Sequence, residues 1–178
     1  RQLRSQVAGL WGRPQSQAAP ELKEVEEQVR KETVELDGKV QVVSRKKDVF
    51  HDRALDASDV KVGLSLEHRR KGLLWYPTYR VDFNGVYRIE NRKGEPALYQ
   101  FVYRFPTEEG LYDRFQIHVD GRQVDDVAPS AGEICLDLKL APKETREVQV
   151  QYVSQGMTEW SYLPGNRVQE IRDFKLTV

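Results

Sequence analysis

The chain has 178 residues, 28 of them basic and 28 acidic, so it carries no net charge. That length accommodates one large domain, or a domain with an arm, and buries a core without covalent staples. Neutrality removes the basic footprint of a nucleic-acid binder, the single cysteine excludes an internal disulfide or a multi-cysteine zinc site, and no apolar run approaches the ~20 residues a bilayer-crossing helix needs.

Leu3, Val7, Leu10 and Trp11 recur at helical spacing, and Gly12 and Pro14 stop that helix. The stretch from Gly12 to Pro20, rich in Gln, Ala and Pro, reads as an extended linker. Residues 1–20 are therefore expected to be helix and linker, and residues 21–178 the domain proper. Glu21 to Glu32 carries two patterns. Leu22, Val25 and Val29 suit a helix with charged flanks, whereas Val34 and Leu36, then Asp37-Gly38, then Val40 and Val42 suit a hairpin. Asp-Gly supplies the positive φ that a two-residue turn requires. Strands are expected over 32–36 and 39–44. Arg45 to Asp59, charged and rich in Asp, reads as loop with a short helical or strand piece.

From Val60 onward the period is two. Val60, Val62, Leu64 and Leu66 alternate with polar residues, as do Tyr79, Val81, Phe83, Tyr87 and Ile89, then Ile134, Leu136, Leu138 and Leu140. Strands are expected near 60–67, 78–91, 97–105, 114–119, 122–127, 134–140, 146–154 and 168–178, with Asp120-Gly121 as a second hairpin turn. Gly/Pro breaks separate them. Short strands with turn clusters between them, and no βαβ alternation, predict an all-β protein: an antiparallel β-sandwich with a short N-terminal helix or arm. The first residue is Arg1 and the alternation still runs at Phe174, Leu176 and Val178, which reads as a segment of a longer protein.

Few residues offer chemistry. His51, His68 and His118 have no metal-ligand spacing, and His118 is expected to face solvent. Asp52, Asp56 and Asp59 carry the oxygen ligands that calcium prefers, but not the glycine and terminal Glu of an EF-hand. They read as a solvated loop, as do Glu108-Glu109 and Asp125-Asp126. Ser44 to Lys47 fits an SxxK pattern without its companion motifs. Cys135 reads as a small packing residue, with no partner for a nucleophile nearby in sequence. No catalytic, cofactor or metal residues are expected, and the chain reads as a non-enzyme.

The run Arg69-Arg70-Lys71-Gly72-Leu73-Leu74-Trp75-Tyr76 is the most suggestive. Cations beside Trp and Tyr suit a membrane interface, a partner surface, a glycan platform or single-stranded nucleic acid. They equally suit a hairpin loop leading into the next strand. Trp160 and Tyr162, between Gly156 and Pro164-Gly165, form a second aromatic loop that either caps the sandwich or marks a binding edge. Arg69, Arg70, Lys71, Trp75, Tyr76, Trp160 and Tyr162 are therefore the candidate partner or membrane contacts.

The segment Trp11-Gly12-Arg13-Pro14-Gln15-Ser16-Gln17-Ala18-Ala19-Pro20 resembles a motif of the CreD family of polytopic bacterial inner-membrane proteins, linked to envelope stress and colicin tolerance. Val7, Trp11, Gly12, Gln15 and Pro20 match in register, and Ala19 replaces the family's glycine. The resemblance implies a juxtamembrane helix over 1–20 followed by a β-rich periplasmic domain, membrane attachment through flanking helices, and no cofactor. It implies a sensing or interaction role, with a protein partner possible and nucleic acid not expected. A carbohydrate- or small-ligand-binding sandwich, using Trp75, Tyr76, Trp160 and Tyr162 as stacking surfaces, is the alternative. A cryptic carboxylate enzyme is a more remote one.

Overall fold

The computed structural model describes residues 14–36, 39–107, 112–125, 127, 132–165 and 170–178. The helix expected over Leu3–Trp11 lies outside them, as do the Asp37-Gly38 turn, Glu108-Glu109 and Asp126. The described residues form strands and turns only, and so give an all-β protein. The strands are β1 (Gln15–Ala18), β2 (Glu21–Leu36), β3 (Lys39–Arg53), β4 (Ala57–Lys71), β5 (Leu74–Glu90), β6 (Ala97–Arg104), β7 (Tyr112–Val119), β8 (Arg122–Gln123), β9 (Glu133–Leu140), β10 (Thr145–Met157), β11 (Trp160–Leu163) and β12 (Phe174–Thr177).

Two sheets carry the fold. One has six strands in the order β12-β4-β5-β10-β7-β8, the other four in the order β3-β2-β6-β9. Alternation decides what lies between them. Val60, Val62, Val81, Phe83, Tyr87, Ile89, Ile117, Val148, Val150 and Tyr152 point inward from the larger sheet. Leu22, Tyr99, Phe101, Tyr103, Ile134, Leu136, Leu138 and Leu140 meet them from the smaller. Burying one face of each sheet against the other is what a period of two encodes. Phe83 stacks on Tyr152 at 4.8 Å between ring centroids, and Tyr87 leans on Phe101 of the facing sheet at 5.8 Å.

The third pairing corrects the linker reading. β1 runs parallel to β11, from Gln15 opposite Trp160 to Ala18 opposite Leu163. Gln15 and Gln17 are fully buried there. The Gln17 Oε1 accepts from the Tyr103 hydroxyl at 2.8 Å and the Tyr152 hydroxyl at 3.0 Å, and its Nε2 donates to the Arg104 carbonyl at 3.0 Å. Tyr103 and Arg104 belong to β6 and Tyr152 to β10, so one side chain bridges both sheets. Gln15 donates to the Gln155 carbonyl and accepts from Ser154. A buried amide persists only with its donors and acceptors matched.

Other expectations need correction as well. Glu21 to Glu32 is strand, not helix, and 45–53 continues β3 rather than forming a loop. Beyond Glu21–Val25, which pairs with β6, the β2–β3 ribbon has no third neighbour among the described residues. Residues 26–31 and 44–48 are exposed, so no core imposes an alternating pattern on them. Cys135 faces outward and is exposed. His118 is half-buried with its Nδ1 covered. The strands expected at 122–127 and 168–178 shrink to β8 and β12.

Candidate contact site on the β4–β5 arm

β4 and β5 form the second long ribbon, paired from Ala57 opposite Arg88 to Lys71 opposite Leu74. β10 accompanies β5 only as far as Thr78, and β12 accompanies β4 only over Ser58–Lys61. From His68 and Pro77 outward the two strands run alone to the turn at Gly72-Leu73. Gly72 has φ of 64°. A two-residue hairpin with glycine first in its loop requires that sign, which a side chain would oppose. The Thr78 hydroxyl donates to the Glu67 carbonyl at 2.8 Å, fixing the last supported row. The Arg70 Nε donates to the Gly72 carbonyl at 2.8 Å, and the Arg69 guanidinium meets Glu67 at 3.2 Å.

The register assigns the faces. Val60, Val62, Leu64, Leu66, His68 and Arg70 share one side with Phe83, Val81, Tyr79, Pro77 and Trp75. This is the core-facing side, and the facing sheet ends before the ribbon does. Val60 and Val62 are buried, but Leu66 is 67% exposed and Trp75 63%. The alternation at Leu64 and Leu66 therefore marks the core side of a strand that has left the core. At the apex Leu73 is 88% exposed, and Leu74, on the opposite face, is exposed too. The run from Arg69 to Tyr76 is thus one continuous surface.

Trp160 and Tyr162 do not join it. They lie in β11, a strand rather than a loop, half-buried against the core cluster. Their rings stack at 6.5 Å, and Tyr162 stacks on Phe174 at 5.8 Å with the planes 11° apart. Burial pushes the Tyr162 phenol up to about 12. These rings close the end of the sandwich beside β1.

The start of β1 and the end of β12 both lie towards the arm. The Gln15 amide donates to the Glu159 carbonyl at 3.0 Å, and the Tyr79 hydroxyl donates to the same carbonyl. Tyr79 stands opposite Leu66 at the base of the arm. From Gln15 to Gln17 the contacts move from Gln155 and Ser154 back to Tyr152, so β1 starts at its arm-side end. β12 runs parallel to β4, from Phe174 opposite Ser58 to Thr177 opposite Lys61, and heads the same way. The β2–β3 ribbon leaves past Ala97, at the other end.

Sequence reasoning missed one further concavity. At the edge where β3 crosses over to β4, Leu22, Arg53, Asp56, Glu90, Arg92, Tyr99 and Arg172 line a cleft of about 360 Å³. Asp56 is its hub. It pairs with Arg92 at 2.7 Å and Arg172 at 3.5 Å and accepts from the Glu90 amide at 2.7 Å. Arg172 also holds Glu170 at 2.6 Å, which keeps that carboxyl below its usual range. No group of acidic, His or Cys residues able to hold a metal occurs among the described residues, and Asp52, Asp56 and Asp59 form no such group. The Asp56 pairs in the cleft join chain segments far apart in sequence, so no local motif announces them.

No family model matches the chain, and no curated protein matches it. Among solved structures, a crystal structure described as a candidate nutrient binding protein from Legionella pneumophila matches with a TM-score of 0.42 and 10% identity, over 82% of this chain and 46% of that one. This chain spans less than half the length of that protein.

Proposed function

We propose that the chain is a non-catalytic contact domain, held on the periplasmic side of a bacterial inner membrane by a multi-pass protein of the envelope. The observation that supports this reading is the convergence of three features on one end of the sandwich. These are the start of β1, the direction of β12, and the β4–β5 arm with its exposed apolar residues. A domain tethered on both sides to a bilayer needs its two ends on one side, and an arm there has something to reach. The resemblance of Trp11–Pro20 to the CreD motif adds the inner-membrane setting. Asp56 and Glu170 are tied to arginines rather than poised as acid and base, in keeping with a binding role.

Cys135 gives the test, because it is exposed on the outer face of β9. Burial, and then Glu133, hold its thiol above its ordinary value, so labelling belongs at mildly alkaline pH. In the full-length protein in intact spheroplasts, a membrane-impermeant maleimide labels Cys135, and Cys135→Ser abolishes the signal. Labelling that appears only after permeabilisation overturns the placement.

The edge cleft favours a second reading, a small-ligand module, because its three arginines could rearrange around an anionic ligand. A thermal-shift screen of sugars and small carboxylates, repeated with Arg92→Gln, tests it. A shift that survives the substitution counts against that cleft.

A further inference from the structure

We infer that the tip of the β4–β5 arm inserts into the interface of an anionic lipid bilayer, an assignment that rests on the proposed membrane-tethered placement and names the partner of its contact surface. The argument is the arrangement of the tip around its own axis. The register puts Trp75 and Arg70 opposite each other on one face of the ribbon, and Tyr76 and Arg69 opposite each other on the other. Leu74 occupies that second face one row further out, and Leu73 the apex. The apex thus presents the exposed Leu73 and Leu74 beside the position of Lys71, with one aromatic and one arginine on each face behind it.

A protein partner engages one face of a ribbon. A lipid surface is uniform around the axis of anything that enters it, and it layers chemistry by depth: hydrocarbon, then an interface that favours Trp and Tyr, then headgroups that attract Lys and Arg. The tip carries all three chemistries within three rows: leucines at its end, then Trp75 with Arg70, then Tyr76 with Arg69. The sequence places Lys71 beside the apex as well, and Glu67, the nearest acid along the ribbon, sits further back and is bound to Arg69. The turn lies about 20 Å beyond the row of Leu66 and Tyr79, taking ~3.3 Å per strand residue.

The experiment uses the 178-residue chain and unilamellar vesicles of phosphatidylcholine alone or mixed with phosphatidylglycerol. Vesicle co-sedimentation is measured, together with quenching of tryptophan by lipids brominated along the acyl chain. We expect binding to the anionic vesicles, weakened by salt, and, with Trp11→Phe as the background, quenching that Trp75→Phe removes. Leu73→Ser/Leu74→Ser is expected to abolish binding with the melting temperature unchanged. Arg69→Gln and Arg70→Gln should each weaken it about fivefold, the equivalent of ~1 kcal/mol per charge. Absence of binding to either vesicle overturns the inference, as does quenching that persists in Trp75→Phe. A photo-crosslinker at position 73 that captures a protein and no lipid in cells overturns it too. None of these failures bears on Cys135 labelling, so the placement of the domain stands or falls separately.

Discussion

Two glycines and two tyrosines set the tolerance of the larger sheet. A Cβ on Gly156 would lie 2.5 Å from Cζ of Tyr79, and one on Gly85 would lie 2.8 Å from Cζ of Tyr87. In each case the ring covers the bare backbone of a strand glycine. Gly156→Ala and Gly85→Ala should each cost about 1–3 kcal/mol in denaturant unfolding. Gly94→Ala, where nothing lies within 4 Å, should stay within ~0.5 kcal/mol. Equal effects at all three positions would contradict the packing account. Gln17→Leu removes the acceptor shared by Tyr103 and Tyr152 and should cost about 1–3 kcal/mol, because both hydroxyls are left buried without it. Tyrosines also give the fold its alkaline limit. Burial raises the Tyr79, Tyr112 and Tyr162 phenols to about 12 and lifts Tyr87 and Tyr103 well above their ordinary value. A raised phenol stabilises the fold fully below its unfolded value of ~10, and that stabilisation is lost as pH rises through the folded values. Phenolate absorbance and loss of circular dichroism should therefore rise together above about pH 10. Phenolate appearing well before unfolding would show that these rings are open to solvent.

At the scale of elements, the sequence disclosed strands wherever a core pressed on one face. Tyr79 to Ile89 and Ile134 to Leu140 alternate because the opposite sheet selects every second residue, and their expected boundaries agree with β5 and β9 to within a few residues. The outer part of the β2–β3 ribbon was legible, because Val34, Leu36, Asp37-Gly38, Val40 and Val42 mark strands at 32–36 and 39–44 that β2 and β3 contain. The stretch behind it was hidden for the converse reason. With solvent on both faces, Glu26-Glu27 and Arg45-Lys46-Lys47 are held by cross-strand pairs such as Lys46 with Glu27 at 2.9 Å, and such pairs leave no period to read. β1 was hidden because its buried side chains are glutamines, whose partners in β6 and β10 lie 86 or more residues away in the chain. The β4–β5 arm was half legible. Its chemistry stood out as a basic-aromatic run, but its projection depends on where β10 and the facing sheet stop. Truncations measure that difference. Phe83→Ala and Leu136→Ala should cost about 2–5 kcal/mol, whereas Trp75→Ala should fall within ~0.5 kcal/mol. A loss at Trp75 as large as at Phe83 would mean the arm is packed against something, and its role as a free contact surface would fail.

For the whole molecule, the two ribbons make the sandwich polar along its length. One end carries a ribbon of mixed charge, the other the arm together with the start of β1 and the end of β12. Arg104, paired with Glu21 and with Glu133 at 3.1 Å, ties the start of β2 to β9 across β6. Gln17 then joins the two sheets, so a load on the segment before β1 is delivered to the core between them. The central claim is that contact is made at the arm end, and it is tested most directly by photo-crosslinking in living cells. A photoreactive residue replaces Leu73 in the full-length protein, and another replaces Lys47 on the opposite ribbon as the control. The account predicts adducts from position 73 and none from position 47. Adducts from position 47 alone, or from neither position, would contradict it.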